Sequence, residues 1–362
     1  MKHVLKYAFL YTCWLIGLFH ISKIIMRNKL QILCYHGFEI RDESKFRPKL
    51  FIRKKTFSKR LKFIFKYNFL VFSLNEALYR LKNNTLPKNA LVITIDDGFY
   101  SVYSVATNIL RTYQYPATVY TTTYYVEKET PIFRLMVQYM FWKTKNRVLN
   151  LHGCAWSKEQ EVDLTDAQTR NRVMWECIDY GEQKCSETQR VEIGRELGTL
   201  LDCDYQEIND SRIVSLMTKK EVSELIKEGF DVQLHTHRHR FPVGDETMAT
   251  KEILENKQYL GNIVDHPLVH FCYPSGIWDK HQWPWLTKLG VQSATTCLPG
   301  LNDTEVPVLA LRRFVDGENI SQIEFTAELF GFIELLRRVR NAIGCNRPIP
   351  RCLNRQWEPE SR

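Results

Sequence analysis

Two stretches decide the fold: Ala90-Leu-Val-Ile-Thr-Ile-Asp-Asp-Gly98 and Phe230-Asp-Val-Gln-Leu-His-Thr-His-Arg-His239. Each is a short apolar run that ends in a polar cluster, and such runs are typical of buried strands. If both are neighbouring parallel strands, their polar ends meet at one end of a sheet or barrel. α/β folds place their chemistry at that end.

Strand and helix patterns alternate from Gln31 onward, which favours an α/β fold with parallel strands. The predicted strands begin near residues 31, 90, 116, 230, 268, 291 and 309. Seven strands suit a distorted (β/α)7-type barrel better than a doubly wound sheet. A charged, mostly helical stretch at about 127–216 interrupts the alternation. It is interpreted as an insertion over one end of the core, with a separate domain as the alternative.

Three regions follow from these patterns. Residues 1–29 are predicted to form a hydrophobic N-terminal anchor or interfacial helix. Residues 30–320 are predicted to form the main domain, which carries the helical insertion at about 127–216. Residues 321–362 are predicted to form a basic C-terminal helix and a loose tail.

The N-terminal segment Tyr7 to Ser22 carries no Asp, Glu, Lys or Arg. It is shorter than the roughly 20 apolar residues of a membrane span, and no small-residue cleavage site follows it. An interfacial helix or short uncleaved anchor is therefore preferred to a cleaved signal or a simple docking helix. The chain is predicted to be membrane-associated. The heavier basic cluster downstream favours a cytoplasmic domain, with the extracytoplasmic face as the alternative.

The net charge of +9 fits an anionic lipid surface or a polyanionic glycan. Zinc-finger spacing, the RNA-recognition aromatic signature and long Arg/Lys runs are all missing from the sequence, so nucleic-acid binding is not expected. No pattern implies a protein partner. The ten cysteines lack CxxC spacing and are predicted to be mostly buried free thiols, which mildly favours a reducing compartment.

Asp96 and Asp97 follow the first strand, and side chains alternate along an extended chain. One carboxylate can therefore ligate a metal while the other acts as a base, provided the turn at Gly98 brings both to one cavity. A helix N-terminal cap is the structural alternative for this sequence.

His235 and His239 are four residues apart, a spacing that places both rings on one side of a helix or tight turn. Three histidines in five residues, directly after a buried strand, favour a metal site over a solvated basic loop.

Both clusters resemble motifs of the polysaccharide deacetylases, carbohydrate esterase family 4, with its NodB-type domain. Thr94-Ile-Asp-Asp-Gly98 is similar to the first motif, T-F-D-D-G, and His235-Thr-His-Arg-His239 fits the second, H-[ST]-x-x-H. The resemblance implies that Asp97, His235 and His239 hold a divalent metal, usually Zn²⁺, and that Asp96 is the base.

A third motif is similar to Phe271-Cys-Tyr-Pro-Ser-Gly276, which implies that Tyr273, Pro274, Ser275 and Gly276 bind substrate. Trp278 could stack on a sugar ring, although core packing explains it as well. Cys272 stands where many members carry an Arg that steers the catalytic Asp. The resemblance implies Arg313 as the substitute, because family members with this form of the third motif often carry an Arg at the end of the last strand. Arg312 is less favoured, because alternation sends it to the other face.

The family's L-x-x-H motif, usually near the C-terminus, is matched here at the N-terminus by Leu33-Cys-Tyr-His36. Similarity to permuted members of the family makes His36 the candidate general acid, and a packed strand-end histidine is its alternative. The predicted function is N-deacetylation of amino sugars in a surface polysaccharide or its precursor. The alternatives are a carbohydrate O-acetyl esterase and a non-catalytic glycan-binding protein at the membrane surface.

Overall fold

The structure is a computed structural model that describes residues 2–342. Its strands are β1 Gln31–Tyr35, β2 Gly37–Phe38, β3 Phe51–Ile52, β4 Leu70–Phe72, β5 Ala90–Ile95, β6 Thr118–Thr121, β7 Val148–Asn150, β8 Glu161–Asp163, β9 Asp231–Leu234, β10 His270–Cys272, β11 Ser293–Thr295 and β12 Phe314–Val315. The α-helices are α1 Lys2–Leu15, α2 Leu18–Met26, α3 Glu43–Phe46, α4 Lys54–Lys66, α5 Leu74–Lys82, α6 Thr107–Thr112, α7 Tyr124–Lys128, α8 Phe133–Lys143, α9 Ala167–Lys184, α10 Glu187–Leu200, α11 Tyr205–Ser211, α12 Lys219–Lys227, α13 Glu246–Gly261, α14 Trp283–Lys288, α15 Gln322–Leu329 and α16 Phe332–Ala342. A π-helix spans Val102–Ala106, and short 3₁₀ turns span Pro274–Gly276, Lys280–Gln282 and Val308–Ala310.

The main sheet is parallel and has the strand order β11-β10-β9-β6-β5-β1-β12, with β4 paired to β5. It curls until Thr295 of β11 bridges Leu311, just before β12. The predicted α/β barrel is confirmed. β4 is an eighth strand that the sequence did not indicate, because its three residues Leu70–Phe72 are half exposed and lack a clear apolar run.

Local signals explain several of the elements. A capping box joins Thr218 and Glu221 at the start of α12, and Gly229 takes the left-handed φ of 89° after its end. A second capping box joins Ser321 and Glu324 at the start of α15. The predicted last strand near 309 begins later, at Phe314, because Val308–Ala310 forms a 3₁₀ turn.

A second hydrophobic core is built by residues 133–214. It contains α8 to α11 and the antiparallel hairpin of β7 and β8. The sequence indicated no strands in this stretch, because each strand has only three residues and buries only its central one. The helices come close to the second motif: Glu182 of α9 lies 3.9 Å from the guanidinium of Arg240. The domain boundaries given above stay a prediction.

The N-terminal segment forms two helices, α1 and α2, which bend by 75° at Gly17. Within residues 2–342 no single helix has the length and apolar composition to cross a membrane, and only this bent pair meets both criteria when taken together. The C-terminal region also has two helices rather than one, because Gly331 breaks it with a φ of 71°. The predicted tail lies outside the described residues.

Candidate active site

The Asp pair sits at the carboxyl end of β5 in an unusual turn. Asp97 has a φ of 69° and Gly98 a φ of 83°. Two successive left-handed residues interrupt the strand alternation, so both carboxylates approach His235. Gly98 is required for space as well, since a Cβ there would lie 2.8 Å from the methyl group of Thr121.

Three predicted metal ligands converge. Nε2 of His235 lies 3.3 Å from Oδ1 of Asp97, and Nε2 of His239 lies 3.4 Å from the same oxygen. The two imidazole rings are 4.9 Å apart. Thr236 and His239 both have positive φ, 65° and 56°, so a tight turn rather than a helix presents the rings. Nδ1 of His235 lies 2.8 Å from the carbonyl of Cys272. A carbonyl only accepts, so Nδ1 donates and Nε2 faces Asp97. Burial opposes the charged form of His235, but Cys272 and Asp97 raise its pKa well above the usual value, so a metal bound at Nε2 would displace a proton.

Helix α13 holds this turn in place. The Asn256 amide accepts the N–H of His235 at 3.0 Å and donates to the carbonyl of Thr121 at 3.0 Å. A carboxylate oxygen of Glu252 accepts the N–H of Arg238 at 2.7 Å. Asn256 and Glu252 are fully buried and were not found from the sequence. Their spacing of four residues on one buried helix face was the only signal.

Asp96 is held by a buried guanidinium. Nη1 and Nη2 of Arg313 donate to the two carboxylate oxygens, each at 2.7 Å, and Nε donates to the carbonyl of Thr296 at 2.9 Å. Such a bidentate pair fixes the carboxylate plane. Arg312 faces the other way, towards Gly300. Arg313 therefore makes the contact with Asp96 that was expected of an arginine at position 272.

Two thiols complete the surroundings of Asp96. Sγ of Cys34 lies 3.4 Å, and Sγ of Cys272 3.3 Å, from Oδ2 of Asp96. Both cysteines are fully buried, and all eight cysteines in residues 2–342 are free. These contacts were also missed, because a cysteine inside an apolar run reads as a core residue.

His36 follows β1 and closes the other side of the cavity. Its Nε2 lies 3.8 Å from Oδ2 of Asp96, and its side chain is 18% exposed. Within the described part of the chain its Nδ1 has no hydrogen-bond partner. One ring nitrogen therefore lies near the Asp96 carboxylate and the other is unpaired within residues 2–342, and the role of His36 as general acid stays a prediction.

The third-motif loop differs in part from the predicted substrate contacts. Tyr273 is buried against Phe241 and Phe271, and its hydroxyl donates to the carbonyl of Leu309. Pro274 and Gly276 are also buried. Ser275 is exposed with a φ of 57°, and Trp278 is half exposed. The side chain of Tyr273 is therefore too buried to touch a substrate, whereas the other substrate contacts, including those of Ser275 and Trp278, stay a prediction.

Charge controls ionisation in this cluster. Burial opposes the ionisation of Asp96, but the charge and hydrogen bonds of Arg313 outweigh it and hold the pKa of Asp96 well below its usual range. Burial likewise opposes the ionisation of Asp97, but His235 and His239 lower its pKa to about 2. The surrounding protein desolvates the His239 ring, although 42% of its side chain is exposed, and lowers its pKa to about 4 despite Asp97. A neutral imidazole is the form that binds metal.

The sequence model of the polysaccharide deacetylase family matches residues 83–176 and 203–294. The chain belongs to the polysaccharide deacetylase family. The matched residues include the first three motifs, whereas His36 and Arg313 lie outside them. The family assignment makes the chain a hydrolase of acetyl groups on polysaccharides. A search of curated proteins gave no match.

Solved structures of deacetylases share the fold. The Streptococcus pyogenes deacetylase PplD is 19% identical with a TM-score of 0.55, over 83% of this chain and 98% of that one. The putative polysaccharide deacetylase BA0330 from Bacillus anthracis is 14% identical with a TM-score of 0.51, over 83% and 69%. A de-N-acetylase from Aggregatibacter actinomycetemcomitans is 12% identical with a TM-score of 0.51, over 83% and 99%.

Within residues 2–342, three overlapping groups of donors could hold a metal: Cys34 with His36 and Asp96, Asp96 with His235 and Cys272, and Asp97 with His235 and His239. The donor atoms of each group lie within 4.8 Å of one another. The first two include Asp96, whose oxygens are both taken by the guanidinium of Arg313. A fixed cation there repels a second one. The third group contains no such cation and fits a divalent metal best.

Proposed function

We propose that this deacetylase family member removes N-acetyl groups from amino sugars of a surface polysaccharide or its precursor, with Asp97, His235 and His239 as ligands of a divalent metal. Two nitrogens and one carboxylate oxygen suit Zn²⁺, and three protein ligands leave a coordination position open for water or substrate. The single observation that carries the proposal is the convergence of these ligands next to a separate acid–base pair, Asp96 and His36.

A bound metal of this kind polarises the acetyl carbonyl and acidifies water. Asp96 accepts the proton of the attacking water. Arg313 orients the Asp96 carboxylate and keeps it ionised, at the cost of making it a weaker base. The backbone N–H of Ser275, on the exposed turn, is the candidate donor to the developing oxyanion.

His36 supplies the last proton. An amide nitrogen leaves only after protonation, because an amide anion is too poor a leaving group, whereas an ester oxygen leaves more readily. The His36 ring beside Asp96 is therefore the observation that favours N-deacetylation over O-deacetylation. The argument for a non-catalytic binder was the missing arginine of the third motif, and the contact of Arg313 with Asp96 removes that reason.

The test is metal analysis of purified protein, followed by acetate and amine release from a chitooligosaccharide and from an acetylated xylan. We expect one divalent metal per chain, amine release from the first substrate, and no turnover by Asp96→Asn with its metal retained. Metal-free wild-type protein without release would support a binder. Release from the xylan alone would support an esterase.

A further inference from the structure

The bend between α1 and α2 exposes an unusual row of apolar side chains. Its members lie on the elbow and along one side of α2, and we call them the basal face: Leu15, Ile16, Leu18, Ile21, Ile24 and Ile25. Their exposed fractions run from 36% for Leu18 to 82% for Leu15. The opposite side of α2 is packed, with the Phe19 ring 4.6 Å from that of Phe332. The pair is therefore docked on the domain by one side only.

The basal face lies at the end of the barrel opposite to the site. Helix α2 ends at Met26, with four residues between it and β1, and the carbonyl of Arg27 accepts the N–H of Asn89, just before β5. Both strands carry the site at their other ends, at His36 and Asp96. A strand of six residues spans roughly 20 Å, so the barrel separates the basal face from the catalytic residues.

The charge around the basal face is mainly positive, although Asp303 pairs with Lys29 and Glu334 with Arg338 nearby. The sequence has no Asp or Glu before Glu39. Lys23 of α2 and Lys66 of α4 share one neighbour, with their Nζ atoms 5.7 Å and 5.5 Å from the ring of Tyr67. The exposed Lys62 and Lys66, in the last turns of α4, extend this positive surface, whereas α4 begins near the catalytic end, where Arg53 pairs with Glu318. Apolar side chains next to clustered lysines match an anionic bilayer, where the former enter the acyl region and the latter meet the headgroups.

We propose that the basal face docks in the plane of an anionic membrane and points the catalytic end of the barrel away from it. What this orientation implies for the substrate rests on the proposed function. The substrate is then a glycan strand that extends into water, not an acetylated sugar held at the lipid headgroups. The bent helix pair acts as an in-plane anchor instead of a span.

The first test is co-sedimentation of the full chain with vesicles of phosphatidylcholine containing about 30% phosphatidylglycerol. The variant Ile21→Ser/Ile24→Ser/Ile25→Ser should bind at least about tenfold more weakly, and added salt should weaken wild-type binding. The matched control is Val148→Ser/Met248→Ser/Leu254→Ser, which changes three apolar residues of similar exposure elsewhere. Equal binding of both variants would overturn the proposal. So would a wild-type dimer that the first variant converts to monomer without a loss of vesicle binding.

The second test is hydrogen–deuterium exchange with and without these vesicles, which needs no activity. We expect slower exchange over residues 15–27 and no change over the loops 236–244 and 275–281. Protection of those loops would overturn the orientation even if the protein binds. A protein that docks as expected but releases no acetate from any substrate would refute the proposed function alone.

Discussion

The two ends of the barrel differ in which side chains they bury and which they expose. At the catalytic end the chain buries charge: Arg313 and Asp96 are almost fully enclosed. At the opposite end it exposes apolar side chains, up to 82% for Leu15. Ordinary folding favours neither arrangement, since buried ions cost solvation energy and exposed apolar groups forgo burial. Our two proposals give the reason for both departures, a substrate at one end and a membrane surface at the other.

The largest loss of activity is expected from changes to the proposed metal ligands at the catalytic end. We expect the double variant His235→Ala/His239→Ala to lose the metal and at least about 10³-fold in kcat/KM, because the carbonyl is no longer activated. Metal analysis and acetate release measure both. His152→Ala, in the second core region, is the matched control. A double variant that keeps its metal would place the metal site elsewhere.

Arg313 tests whether buried charge serves catalysis. Arg313→Met leaves Asp96 buried without its partner, which costs about 3–5 kcal/mol of stability. Burial then raises the pKa of Asp96 instead of being outweighed, so Asp96 is protonated at higher pH than in the wild type. The acid limb of the kcat/KM profile should move upward. Arg312→Met, on the other face, should leave that limb unmoved, and an unshifted limb in Arg313→Met would exclude Asp96 as the base.

Asn256 tests how the metal ligands are positioned, because its side chain contacts the backbone of His235 and no reacting atom. Asn256→Ala removes the acceptor for the His235 N–H and the donor to Thr121. Metal affinity should fall by about 10–100-fold while the metal, once saturating, restores most of the activity. Asn262→Ala at the end of α13 is the control. Unchanged metal affinity in a titration would show that the turn at 235–239 keeps its shape without Asn256.

The smallest effect is expected at the basal face. Ile24→Ser should change the free energy of unfolding by no more than about 0.5 kcal/mol, because the side chain is 61% exposed. Phe19→Ala, on the packed side of the same helix, should cost about 3–5 kcal/mol. Denaturant titration of both variants gives the comparison. A large cost for Ile24→Ser would mean that protein covers this face in solution.

The sequence predicted the barrel and the residues that meet in its cavity, because apolar runs ending in carboxylates and imidazoles are strong local signals. The family resemblance suggested Arg313, and strand alternation ranked it above Arg312. Asn256, Glu252 and the two thiols beside Asp96 had no such signal, since only the tertiary fold brings α13, β1 and β10 to the site. Strand β4 was missed because its apolar run is short and half exposed. The burial of Tyr273 had no local signal either, because its hydroxyl donates to the carbonyl of Leu309, 36 residues away along the chain.

The pairing of β1 with β12, Leu33 beside Phe314, has a consequence for biosynthesis. The second edge of β1 stays uncovered until β12 is made, and the ribosome must release the chain past residue 313 before Arg313 can reach Asp96. A nascent chain halted earlier would hold an open sheet and an uncompensated buried acid. A truncation that removes Arg313 therefore damages this enzyme at its centre, not at its periphery.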